Sequence, residues 1–163
     1  MKKLLLAVAV ALLNVGCSVS QEAREARKAE ELKEEMALKN ALDKRKFKVE
    51  INRVIPMGMP PESVVEYEVR IQNDSIYSYL PYVGRAYNIP YDGGVGLNFE
   101  EKILSISENK TKNARNIIVK TRNSEDLYTY TFNITASGST MLYVNAQNRE
   151  SITFDGDASP IDD

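Results

Sequence analysis

The hydrophobic positions of this chain follow a different rule in each part of it. An unbroken apolar run, Leu4 to Leu13, stands directly behind Met1-Lys2-Lys3. From Gln21 to Lys46 the apolar residues thin to a stripe of Ala26, Ala29, Leu32 and Met36, followed by Leu38, Ala41 and Leu42. Glu, Lys, Arg and Ala fill the rest of that segment, and neither glycine nor proline interrupts it, so it is predicted to be a helix. Arg27 with Glu31 and Glu35 with Lys39 add helical pairs of about 0.2 to 0.5 kcal/mol each. The stripe is too narrow to bury much, which predicts a solvated spacer of roughly 40 Å at 1.5 Å per residue. A weak coiled-coil seam, or a helix docked on the following domain, is the alternative.

After Lys46 the period becomes two. Phe47, Val49 and Ile51 alternate with Lys48, Glu50 and Asn52, and Met57-Gly58-Met59-Pro60-Pro61 then forces a loop. Val65, Tyr67, Val69 and Ile71 alternate with charged residues, and Gln72-Asn73-Asp74-Ser75 turns the chain into Ile76 to Leu80, a hairpin. Further strands are expected over residues 102–107, 115–121, 127–135, 140–146 and 151–154. Polar turns fall at Glu108-Asn109-Lys110, Asn123 to Asp126, Ala136 to Ser139 and Gln147 to Arg149. Short strands joined by short turns predict an all-β fold, an antiparallel meander closed into a barrel or sandwich. Residues from Asp155 onward read as a loose acidic tail. The stretch from Leu80 to Phe99 fits none of this. Prolines, glycines and tyrosines surround one arginine, which predicts a long shaped connection, the kind of segment where function concentrates.

Composition narrows the functional classes. With 163 residues, 43% of them hydrophobic and 27% charged, the chain holds one globular core. The side-chain balance is 21 − 23 = −2, or 19 − 23 = −4 once Lys2 and Lys3 are removed with a leader, which argues against nucleic-acid binding. Histidine and tryptophan are absent, so the commonest general base and neutral metal ligand are missing, and no cofactor or metal is expected.

The single cysteine gives the address. Lys2-Lys3 and the apolar run form a signal segment too short to span a bilayer comfortably, and Leu13-Asn14-Val15-Gly16-Cys17 resembles the lipobox of bacterial lipoproteins, with Asn14 where an apolar residue is usual. The expected organisation is a signal peptide over residues 1–16, a lipid-carrying Cys17 and charged helical stalk over 17–46, a β domain over 47–157 and a tail over 158–163. At about 0.8 kcal/mol per buried methylene, acyl chains on Cys17 hold a protein on a membrane almost permanently. The predicted place is therefore the cell envelope, facing periplasm or cell surface.

Six of the nine tyrosines, Tyr67, Tyr77, Tyr79, Tyr82, Tyr87 and Tyr91, lie on the hairpin and the connection behind it, either as a candidate surface for a glycan, peptide or envelope protein or as rings packed across strands and under the loop with their hydroxyls on loop carbonyls. Arg85 is the sharpest candidate. Among Tyr82, Gly84, Tyr87 and Tyr91 its guanidinium can stack on a ring and meet a carboxylate or phosphate, or else tie the loop through carbonyls or Glu100. Asp92-Gly93-Gly94-Val95-Gly96 lacks the spacing of a phosphate loop and reads as a bend. Asp155, Asp157, Asp162 and Asp163 lack the order of a calcium loop. Asp74-Ser75-Ile76 fits a short O-glycosylation pattern at Ser75, although Asp and Ser are also ordinary turn formers. A competing reading is a hydrolase using Glu100, Glu101 or Asp92, against which stands the opposite facing of neighbouring strand residues. A third is a purely structural domain.

Leu80-Pro81-Tyr82-Val83-Gly84-Arg85-Ala86-Tyr87, the Gly-rich turn into Leu97-Asn98-Phe99, and Arg149-Glu150-Ser151-Ile152-Thr153-Phe154-Asp155-Gly156 together resemble domain of unknown function family 4251. The resemblance covers residues 47–156. It implies a Bacteroidetes envelope protein with an all-β fold and transfers no activity and no site.

Overall fold

The computed structural model describes residues 2–85 and 96–161, with side chains from residue 21 onward. It divides into two units, Met1–Met36 and Ala37–Asp163. A single helix, α1 (Lys2–Asp43), supplies all of the first unit and opens the second. In the first unit Lys33 and Glu30 pair at 3.5 Å on a solvated face, which contributes a few tenths of a kcal/mol (~0.3). Among the described residues no helix is long and apolar enough to cross a membrane.

The second unit is a closed barrel of eight antiparallel strands: β1 (Lys46–Pro56), β2 (Glu62–Gln72), β3 (Ser75–Leu80), β4 (Leu97–Lys110), β5 (Ala114–Arg122), β6 (Leu127–Thr135), β7 (Ser139–Ala146) and β8 (Ile152–Pro160). Each strand pairs with its neighbours in sequence and β8 closes onto β1, so the expected meander takes the barrel form. An eight-stranded barrel is just wide enough inside to be filled by side chains. The alternation does the filling. Tyr128, Tyr130, Phe132 and Ile134 of β6 and Leu142 and Val144 of β7 point inward and are buried, while Met141 and Tyr143 between them are exposed. Aromatic rings run along the interior, with Phe47 edge-on to Phe132 at 5.8 Å, Phe132 stacked on Tyr130 at 6.3 Å, and Phe99 against Tyr128 at 4.9 Å. Burial pushes the Tyr130 phenol far up, and its hydroxyl is satisfied by donating to Ser78 Oγ at 2.9 Å, which donates in turn to the Leu97 carbonyl.

In an up-and-down barrel successive connections alternate between the two ends. One end carries the turns 73–74, 111–113 and 136–138, and here the last turns of α1 dock: Leu38, Ala41 and Leu42 belong to the core. The helix stops at Asp43 rather than continuing to Lys46, because Arg45 takes a left-handed conformation (φ 53°) and β1 starts at once. Asp43 is held by Lys110 Nζ at 2.9 Å and Arg115 Nη2 at 2.7 Å, both on the β4–β5 hairpin. The opposite end carries the connections 57–61, 123–126 and 147–151, together with residues 81–85 and 96 at the two ends of the β3–β4 connection.

Three sequence expectations require correction. Val65 does not continue the row of Tyr67, Val69 and Ile71 but is 76% exposed, because Glu66 takes a positive φ of 68° and shifts the phase so that Val64 packs against the core instead. Glu108, Asn109 and Lys110 are not a turn but the end of β4, paired with Ile117, Asn116 and Arg115, and the turn lies at residues 111–113. Residues 155–160 are not a tail: β8 runs to Pro160, and Ala158, Ser159 and Pro160 pair with Val49, Lys48 and Phe47. The inward positions there are Gly156 and Ala158, both buried, and β1 crowds the first of them. A Cβ on Gly156 would lie 2.1 Å from the Glu50 carbonyl oxygen.

Candidate functional site

The end of the barrel opposite the helix is organised by charged groups removed from solvent. Asp126, buried in the β5–β6 turn, accepts hydrogen bonds at Oδ1 from the amides of Leu127 (2.8 Å) and Gln147 (2.9 Å) and at Oδ2 from the amide of Asn148 (2.9 Å). One carboxylate thus joins two connections. Asn123 Oδ1 accepts the amides of Glu125 and Asp126, both at 2.8 Å, which shapes the turn that presents it. Beside it the Arg149 guanidinium pairs with the Glu125 carboxylate, the two side chains only 7% and 10% exposed. So deep a cation is tolerable because an acid neutralises it and an aromatic face covers it. The Arg149 Cζ lies 5.4 Å from the centroid of the Tyr82 ring.

Tyr82 carries this node into the long connection. Its hydroxyl donates to the Arg85 carbonyl at 2.8 Å and lies 3.2 Å from the Glu150 carbonyl, the single proton being shared between them. The Glu150 amide donates to the same Arg85 carbonyl at 3.0 Å, and the Arg85 amide donates to Glu150 Oε2 at 3.1 Å. Both backbone groups of Arg85 are therefore fixed on residue 150. Gly84 fits beneath the phenol: a Cβ there would meet the Tyr82 hydroxyl oxygen at 3.0 Å. The far end of the connection is fixed too, for the Tyr128 hydroxyl donates to the Gly96 carbonyl at 3.2 Å. Burial raises the Tyr128 phenol above its ordinary range, with the Arg149 charge and the Asn123 side chain pulling the other way.

Of the residues singled out from sequence, Tyr82 and Gly84 build the base of the loop, and Arg85 projects an exposed side chain from a clamped backbone. Among the described residues no carboxylate pairs its guanidinium, and Glu100 is engaged elsewhere, by the Tyr77 hydroxyl, whose pKa it raises. Tyr87, Tyr91 and Asp92 lie outside the described residues, as do Asp162 and Asp163. Ser75 opens β3, half-buried and paired with Gln72 and Lys102, beside the two-residue turn Asn73-Asp74. Cys17 falls within the span of α1. Glu100 and Glu101 face opposite sides of β4, the first exposed and the second half-buried on the inner side. Among the described residues no group of three metal-ligating side chains forms. The node of Asp126, Glu125 and Arg149 was missed by sequence reasoning. The one local signal was a turn rich in Asn, Ser, Glu and Asp directly before an alternating strand, and nothing in it pointed to a partner at residue 149.

The profile of the family described as Domain of unknown function (DUF4251) matches residues 29–158, from the helix through nearly all of β8. Among solved structures, the crystal structure of a DUF4251 family protein from Bacteroides eggerthii DSM 20697 at 1.95 Å superposes with a TM-score of 0.62 at 16% sequence identity, covering 78% of this chain and 87% of that one. At that identity the likeness is one of fold. No curated protein matches the sequence.

Proposed function

The chain belongs to the DUF4251 family, and from that premise we propose that it is a membrane-tethered cell-envelope lipoprotein whose barrel presents the connection 81–96 to a glycan, peptide or envelope protein. The tether is supported by Lys2-Lys3, the apolar run from Leu4 to Leu13, and Gly16-Cys17. The observation that carries the binding reading is Arg85. Its amide and carbonyl are both committed to residue 150, while its guanidinium is offered to solvent at the end of the barrel opposite the helix. A clamped backbone with an exposed cationic fork is prepared for a carboxylate, a phosphate or a carbonyl-lined surface, because little ordering of the main chain remains to be done on contact. Tyr82 and Gly84 hold that geometry, and Tyr87 and Tyr91, outside the described residues, follow in sequence.

Two measurements test the two halves separately. Cys17→Ser should abolish incorporation of a labelled fatty acid and release the protein from the membrane fraction; continued labelling or sedimentation refutes the tether. A photo-reactive residue at Val83 should form adducts in intact cells that disappear in Arg85→Ala at an unchanged thermal midpoint. Adducts that persist in that variant refute the role of the loop.

A further inference from the structure

A second surface lies on the outer wall and owes nothing to the loop. The β1–β8 ladder slips between Ile51 and Arg53, so both Asn52 and Arg53 reach the outside, and Gly156 presses β8 against β1 opposite the slip. The result is an open depression of about 510 Å³ bordered by Asn52, Arg53, Asn133, Met141, Asp155 and Asp157. Asn133, Met141, Asp155 and Arg53 stand in one cross-strand row. Asn52 Nδ2 donates to Asp157 Oδ2 at 3.1 Å, and Arg53 Nη1 lies 3.8 Å from Asp155 Oδ2. These contacts set the carboxylates in place through one oxygen each and leave acceptor capacity at the other. Met141 is 55% exposed, an apolar surface amid polar ones.

The lining selects its ligand by chemistry. Two carboxylates repel an anion. A cation finds them already engaged by an arginine and an amide, with no third acid beside them among the described residues. An apolar ligand would strip water from charged groups without replacing its hydrogen bonds. A neutral polyol meets none of these objections, since adjacent hydroxyls both donate and accept, matching Asp155 and Asp157 on one side and Arg53, Asn52 and Asn133 on the other, while the C–H face of a sugar ring rests on Met141. We infer that this depression is a binding site for a short neutral oligosaccharide.

The probes are maltotriose, cellotriose and N,N′,N″-triacetylchitotriose, each titrated into the ¹⁵N-labelled full chain up to tens of millimolar. At least one should move the amide signals of residues 52–53, 133, 141 and 155–157 along a saturable curve. Asp155→Asn and Asp157→Asn, each with an unchanged thermal midpoint, should weaken that binding by about tenfold, the scale of one or two lost hydrogen bonds. Met141→Glu is the second line, removing the apolar rest without touching the acids, and should also weaken it. The inference is overturned if none of the three sugars moves these signals, if the shifts gather at residues 82–85 instead, or if the variants bind as the wild type does.

Discussion

At the scale of single residues, this fold depends on three positions, one glycine and one ion pair, whose chemistry cannot be exchanged. Gly156 is one. The Glu50 carbonyl oxygen lies 2.1 Å from where any Cβ would stand, and that oxygen belongs to the strand that must pair with it, so neither side can yield without opening the ladder. Gly156→Ala should lower the unfolding free energy by about 3 kcal/mol, read from urea denaturation, and an effect within experimental error would show that the seam is looser than described. The other two are Arg149 and Glu125, buried and therefore tolerable only as a pair. The sequence made Tyr82, Gly84 and Arg85 conspicuous through their company of prolines and glycines. That a loop tyrosine could be spent on carbonyls was among the readings the sequence offered, but it could not show that one of those carbonyls belongs to Glu150, which arrives from the β7–β8 connection.

At the scale of elements, legibility followed the alternation of side chains. β1, β3, β6 and β7 could be read almost to their ends from the alternation of their faces, whereas in β2 only the half from Tyr67 onward keeps it, the phase changing at Glu66. β4 outran its reading because its last residues are outward and charged on an arm held by ion pairs, Arg115 with Glu108 at 3.1 Å among them, where no core-facing residue keeps the period visible. β8 was cut short for the opposite reason, its inward positions being too small to register as hydrophobic. The docking of the last turns of α1 was legible only as an alternative to a solvated spacer, for the stripe that contains Leu38, Ala41 and Leu42 is continuous with a solvated one. That docking has a testable fastening. Hydrogen bonds from Lys110 and Arg115 hold the Asp43 carboxyl down from 3.8 to about 2. A folded-state pKa below the unfolded value means that the contribution is complete above the unfolded pKa, and drains away as the pH falls through about 2. A carboxyl-detected titration should find that low midpoint in the wild type and an ordinary one in the Lys110→Ala, Arg115→Ala double variant. A midpoint that the double variant leaves in place would show that the helix is fastened by other means.

At the scale of the molecule, the barrel is closed by residues from its two extremes: β1 begins at Lys46, and β8, which ends at Pro160, supplies its second neighbour. Removing residues after Asp155 should therefore not trim a tail but abolish the cooperative unfolding transition, measured by heat or urea, because β1 loses the partners of Phe47 to Ile51 and the turn at Gly138 loses its bond from the Ala158 amide at 2.7 Å. A sharp transition in the shortened chain would refute the closure as described. The seam also has a bearing on biosynthesis. Strand pairing can advance hairpin by hairpin as the polypeptide emerges, but the first strand must wait for the last, with a row of unsatisfied amides and carbonyls open to any passing chain in the interval. Whatever escorts the nascent chain has to shield that waiting edge until β8 is free to pair.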